Sequence, residues 1–162
     1  MRFLERNGWD VVYGPAGGGN ITCRTDKVMV IDGNTRTHSA KAVQLMTREL
    51  GFIRLPCVPN ISSKTAYLSN VFENEGASIM KSIQVRREII ANGGPDIGLP
   101  GHPDNHAAYN ALYDQYLKDG NATAAHIAIG NIFAKNESPP ISPNQTYLDY
   151  FSDYYDRYYG KQ

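Results

Sequence analysis

From Ser63 to Asn92 the chain reads SKTAYLSNVFENEGASIMKSIQVRREIIAN, with no proline and with a stop signal, Gly93–Gly94, directly behind it. Ser62 or Ser63 can cap the start by accepting a bond from a first-turn N–H, and the glycine pair suits the left-handed residue that ends many helices. One long helix therefore organises whatever this chain becomes. Its apolar stripe is Leu68, Val71, Phe72, Ile79, Met80 and Ile83, at helical spacing. Glu75 falls on that stripe, one turn after Val71 and one before Ile79, whereas Glu73 projects off it and reads as solvated. A carboxylate on a core face is costly unless it is paired or binds a metal. Glu75 thus needs a partner.

In front of this helix the pattern is different. FLERN is a short helical piece and WDVVY alternates as a strand. GPAGGGN is a glycine-rich turn between strands, and ITCRTDKVMVID supplies one or two more short strands, closed by Asp32-Gly33-Asn34. A helix is predicted from Ser39 to Leu50 with Gly51 as its stop, and FIRLPCVPN reads as an extended loop. Behind the long helix come a turn-rich connector, PDIGLPGHPDN, helices over His106–Lys118 and Thr123–Lys135, and the loop NESPPISPNQ. A tyrosine-rich helix closes the chain, with Ser142 as cap and Pro143 at its first position. These elements predict one α+β domain over 1–162, mostly helical, with a small β-rich part over 1–35 and a helical part over 36–162.

The charge balance narrows the partners. Lysine and arginine number 16 against 16 aspartates and glutamates. A nucleic-acid binder must neutralise phosphates, and no basic block is present to do it, so nucleic acid is disfavoured. No apolar run reaches membrane-spanning length, and MRFLERNGWD lacks the apolar core of a signal peptide. Export would then rely on a dedicated secretion system or on another part of a larger protein. Cys23 and Cys57 can pair in an oxidising compartment or stand as free thiols. The five Asn-x-Ser/Thr sequons matter only in a eukaryotic secreted chain, which nothing else suggests.

Several short motifs fail on their chemistry. GPAGGGNI has the length of a phosphate-binding loop, but Asn20 and Ile21 stand where lysine and a hydroxyl are needed, so an inter-strand turn is the better reading. His102 and His106 are four apart but bracket a proline in HPDNH, which reads as a surface turn. His38 and His126 have no partner in sequence. Asp26 and Asp32 could serve a nuclease only with a nearby lysine, which Asp32-Gly33-Asn34 lacks. The tail TYLDYFSDYYDRYY holds six of the eleven tyrosines, and Tyr147, Tyr150, Phe151, Tyr154, Tyr155 and Tyr158 follow helical spacing. It suits a packing helix that keeps its hydroxyls wet, or a partner-binding face.

One stretch remains, LMTRELGF at Leu45–Phe52. Leu45, Met46 and Glu49 share a helix face, and Arg48 and Phe52 form the neighbouring pair one turn apart. The stretch has the outline of His-Glu-x-x-His with only the Glu in place. Two carboxylates, Glu49 and Glu75, are predicted to point inward from consecutive helices, the ordinary account being a buried salt bridge or helix-end contact.

With VMVID, AKAVQLMTRELGF, NEGASIM, REIIANGGPDIGL, AIGNIF and YLDYFSDYYDRYY, the chain resembles, over nearly its whole length, zincin-like metallopeptidase domains. These occur at the C-termini of bacterial secreted effectors and polymorphic toxins, including type VI secretion cargo. The resemblance implies a zinc held by two histidines of one helix and a glutamate of the next, with the intervening Glu activating water. Carried onto this chain, Glu49 takes the general-base position and Glu75 that of the third ligand, while Arg48 and Phe52 replace both histidines. Zinc is therefore expected to be absent, and an Arg48–Glu75 ion pair to stand in the vacant metal site, with Phe52 filling space beside it. The implied role is a binding pseudoenzyme that holds a protein or peptide partner, such as a cognate immunity or effector protein. The alternatives are an active toxin or metallohydrolase recruiting His102, His106 or His126 beside Glu75, and an immunity or adaptor protein.

Overall fold

The computed structural model describes residues 2–53 and 58–160. A short helix α1 (Arg2–Arg6) leads into three strands, β1 (Asp10–Tyr13), β2 (Ile21–Cys23) and β3 (Val28–Ile31). Five helices follow: α2 (Ser39–Ile53), α3 (Lys64–Ala91), α4 (His106–Asp119), α5 (Ala122–Asn136) and α6 (Tyr147–Tyr158). The fold class is the one the sequence predicts, a small sheet ahead of a helical body. Among the described residues no helix is long and apolar enough to cross a membrane.

The sheet order is β1-β3-β2, with β1 parallel and β2 antiparallel to β3. The glycine-rich segment is therefore not a hairpin turn between paired strands. It crosses the end of β3 to reach the far edge of the sheet. Asp32 holds it there, its two carboxylate oxygens accepting from Gly17 N at 3.0 Å and Gly19 N at 2.9 Å. The bond from Asn34 N, and then these two, hold the Asp32 pKa below the usual carboxylate range. Asp32 is thus a structural anchor of the loop. Met29 and Ile31 project from one face of β3 and are buried with Leu4 and Ala42, so α2 covers that face.

Helix α3 runs 28 residues, about 42 Å at the usual rise per residue, and it is the axle of the molecule. Ser63 is the cap, its Oγ accepting from Ala66 N at 3.1 Å, and Gly93 follows the helix at φ +75°. Phe72, Ile79, Met80 and Ile83 of the expected stripe are buried, Leu68 and Val71 partly so. From Glu75 to Met80 every residue is buried, because α2, α5 and α6 enclose this part of the helix. Gly76, Ala77 and Ser78 are small enough to let those neighbours approach. The main core gathers Ile79, Ile83, Tyr109, Ile129 and Phe133 from α3, α4 and α5.

Two helix ends differ from the sequence reading. Helix α2 does not stop at Gly51 but continues to Ile53, so Phe52 and Ile53 are helical rather than part of an extended loop. Gly51 lies inside the crossing with α3, where a Cβ would meet the Ser78 backbone. It is there for close approach, not for chain reversal. The last helix starts at Tyr147, not at Pro143, and Thr146 is its cap in place of Ser142. Thr146 Oγ1 accepts from Asp149 N at 3.1 Å while Asp149 Oδ2 accepts from Thr146 N at 3.3 Å, a reciprocal capping box. Thr146→Ala is expected to lose about 1 kcal/mol in urea unfolding, and Ser142→Ala next to nothing. Equal losses would contradict this start of α6. The question of a Cys23–Cys57 pair falls on Cys57, outside the described residues; Cys23 Sγ lies 3.1 Å from Asp26 Oδ2.

Candidate functional site

Because α2 stays helical past Gly51, Arg48 and Phe52 share a face one turn apart, and that face meets α3. Arg48 Nη2 donates to Glu75 Oε2 at 2.9 Å, so the ion pair expected from the sequence forms. The guanidinium carbon lies 5.9 Å from the Phe52 ring centroid and 5.6 Å from that of Phe133 on α5, so both rings flank the charge. Ser78 Oγ donates to Arg48 O at 2.8 Å and fixes the backbone beneath. The Arg48 and Glu75 side chains are 27% and 12% exposed, a pair largely withdrawn from water. Burial alone would make Arg48 less basic; Glu75, by charge and by hydrogen bond, outweighs it, and the arginine stays firmly protonated. Among the described residues, Arg48 Nε is a buried donor with no acceptor.

Glu49 is also buried, but it turns the other way. Thr22 of β2 donates to Glu49 Oε2 at 2.5 Å, tying the edge strand to α2. Burial raises the Glu49 pKa, against the opposing pull of the Thr22 bond and Arg48, and Glu75 adds to the rise. The sign follows from linkage: the folded chain holds this proton more tightly than the unfolded one. Stability from Glu49 is present below the ordinary carboxylate pKa and is lost as pH rises through the folded value. Glu49→Gln keeps an acceptor for Thr22 and is expected to be more stable than wild type at about pH 7, the gap closing near pH 4. Urea unfolding at the two pH values checks this; a less stable Gln variant at neutral pH would contradict it.

Further polar groups surround the pair. The Tyr147 hydroxyl lies against Arg48 and Glu75; burial raises its pKa, with Arg48 pulling the other way and Glu75 adding to the rise. Its ring packs at a tilt against Phe133, 4.4 Å between centroids. On the other flank Glu137 Oε1 accepts from His102 N at 2.7 Å, Asn105 Nδ2 at 3.0 Å and Tyr109 Oη at 3.0 Å. This carboxylate closes the connector over the ends of α4 and α5.

The residues present do not fit zinc. Phe52 offers no donor atom, the Arg48 guanidinium repels a cation, and Glu75 already accepts from it. Glu49 faces Thr22. The histidines do not come to the site either: His102 Nδ1 lies 3.6 Å from Asp104 Oδ2, His106 Nε2 is 3.3 Å from Gly101 O, and His126 sits on α5 near Glu73. Among the described residues no three His, Cys, Asp or Glu side chains are grouped to hold a metal ion.

A groove opens beside the pair, between α3 and α6. Its volume is about 410 Å³, and Phe52, Tyr67, Asn74, Glu75, Tyr150 and Tyr154 are among its walls. The Tyr67 hydroxyl is pushed up to about 12, first by burial and then by the neighbouring phenols of Tyr159, Tyr154 and Tyr150. The groove is thus apolar and aromatic, with Asn70, Asn74 and Glu75 as its polar points.

Of the residues singled out in the sequence, Arg48, Phe52 and Glu75 meet, while Glu49 turns to Thr22; Thr22, Phe133 and Tyr147 were not foreseen. Each arrives from an element distant in the chain. The only signal for Tyr147 was its place at the head of the tyrosine-rich tail. Compared with family models, curated proteins and solved structures, the chain matches none.

Proposed function

We propose that this chain is a zincin-like domain of a bacterial effector or effector-associated protein that binds a protein or peptide partner and does not hydrolyse it through zinc. The observation that carries this reading is the Arg48–Glu75 pair, formed between the two helices that would supply a metal site and flanked by Phe52. A guanidinium supplies the positive charge a metal would bring to Glu75, but it cannot activate water. What remains usable is the aromatic groove that ends at Phe52 and Glu75. Aromatic walls with a few polar points favour an extended peptide carrying apolar side chains, whose backbone the asparagines can meet.

Selection of a displayed peptide library on the purified chain, followed by binding of the enriched peptides to Asn74→Arg, tests the reading. Enriched apolar peptides that lose at least tenfold in affinity to the groove-filling variant are expected. Zinc-dependent cleavage of a peptide or protein substrate by wild type would overturn the reading, as would enriched peptides that bind Asn74→Arg equally well.

A further inference from the structure

Among the described residues, strand β1 pairs on one side only, with β3. Asp10 N bonds to Lys27 O and Gly14 N to Ile31 O, so by strand alternation residues 10, 12 and 14 turn their backbone groups toward β3. Val11 and Tyr13 therefore turn their N–H and C=O groups outward. Solvent-facing edges are usually blunted by proline, lysine or a bulge. The stretch Asp10–Tyr13 carries no proline or lysine and pairs with β3 in continuous register, and Val11, Val12 and Tyr13 are 40%, 44% and 42% exposed.

The apolar surface continues past the backbone. Val11 and Tyr13 are in register with the buried Met29 and Ile31, so they lie on the face that α2 covers, at its overhanging margin. Beneath them is a hollow of about 300 Å³ walled by Ile31, Ala42, Val43 and Met46. Val43 and Met46 also border a second hollow, which reaches Leu50 of α2 and Val85 and Ile89 of α3, with Lys81 and Glu88 in its wall.

We propose that this edge is a self-association surface, on which β1 of a second copy of this chain pairs antiparallel about a two-fold axis midway between the two Val12 residues. The match is internal to the strand. Antiparallel pairing centred on Val12 sets Val11 opposite Tyr13 of the other copy, and the reverse, so the outward groups meet as hydrogen-bonded pairs. A β-branched residue then faces an aromatic one across the strands, a favourable pairing, and Asp10 faces Gly14 rather than a second carboxylate. The axis stands perpendicular to the sheet, so both α2 helices lie on the same side and the two hollows face each other. The apolar lining of the hollows thus extends the contact beyond the two short strands.

The two-fold register makes the test specific. In a Cys23→Ser/Cys57→Ser background, Val12→Cys places two sulfurs across a non-hydrogen-bonded pair, within disulfide reach. Wild type is expected to show twice the 18.0 kDa chain mass by light scattering, and Val12→Cys a covalent dimer on mild oxidation that Val11→Cys forms at least tenfold more slowly. Val11→Pro removes an outward N–H and spares the bonds to β3. It is expected to be monomeric with an unchanged circular dichroism spectrum. A monomeric wild type at high protein concentration would overturn self-pairing and leave the edge to a strand from another protein. A dimer that survives Val11→Pro, or equal crosslinking at positions 11 and 12, would also overturn it.

Discussion

Gly130→Ala is expected to destabilise the fold by about 3 kcal/mol or more, although alanine is the better helix former by about 1 kcal/mol. Helices α3 and α5 cross with their backbones in contact. A Cβ at Gly130 would fall on the Phe72 carbonyl, and one at Gly76 on the His126 carbonyl and Gly130 N. Each glycine thus receives the other helix's main chain, and no side chain is there to rotate away. Relief requires the two helices to part, which would loosen Ile79, Ile129 and Phe133 in the core that both share. Gly76→Ala is expected to behave alike, and the double variant to cost less than the sum, since one separation of the helices accommodates both methyls. Urea unfolding measures all three. A neutral Gly130→Ala would mean that α3 and α5 stand further apart than described.

Arg48→Ala is expected to cost about 2–4 kcal/mol, somewhat below the range for breaking a fully buried pair because the arginine keeps some exposure. The loss has two parts: Glu75 is left largely buried without a cation, and Phe52 and Phe133 lose the group between them. Removing both charges with similar shapes, Arg48→Met with Glu75→Gln, should recover most of the stability. A double variant no better than Arg48→Ala would show that the guanidinium acts through packing rather than through Glu75.

How much of this was legible follows from what is local. Helix α3 was, because its cap at Ser63, its stripe and its glycine stop all lie within the segment. The burial of Glu75 was too, since it breaks an otherwise apolar face. Gly51 misled because a helix-ending glycine and a helix-crossing glycine look alike until the facing residue, Ser78, is known. Gly76 and Gly130 sit in NEGASIM and AIGNIF, and their common cause is one crossing that no single segment reveals. The start of α6 was within reach, since Thr146 and Asp149 have capping-box spacing, but Pro143 gave a competing signal. The strand order was not, because placing β3 between β1 and β2 depends on pairing that the linear pattern does not encode. Thr22 and Tyr147 stayed hidden for the same reason, each reaching α2 from a distant part of the chain.

Arg48 and Phe52 standing where two histidine ligands would stand is the claim on which the functional reading rests. Zinc stoichiometry of Arg48→His/Phe52→His tests it most directly, measured by elemental analysis after purification without chelator, beside wild type. One zinc per chain in the double variant and none in wild type is the expected result. Stoichiometric zinc in wild type, or a folded double variant that takes up none, would contradict it.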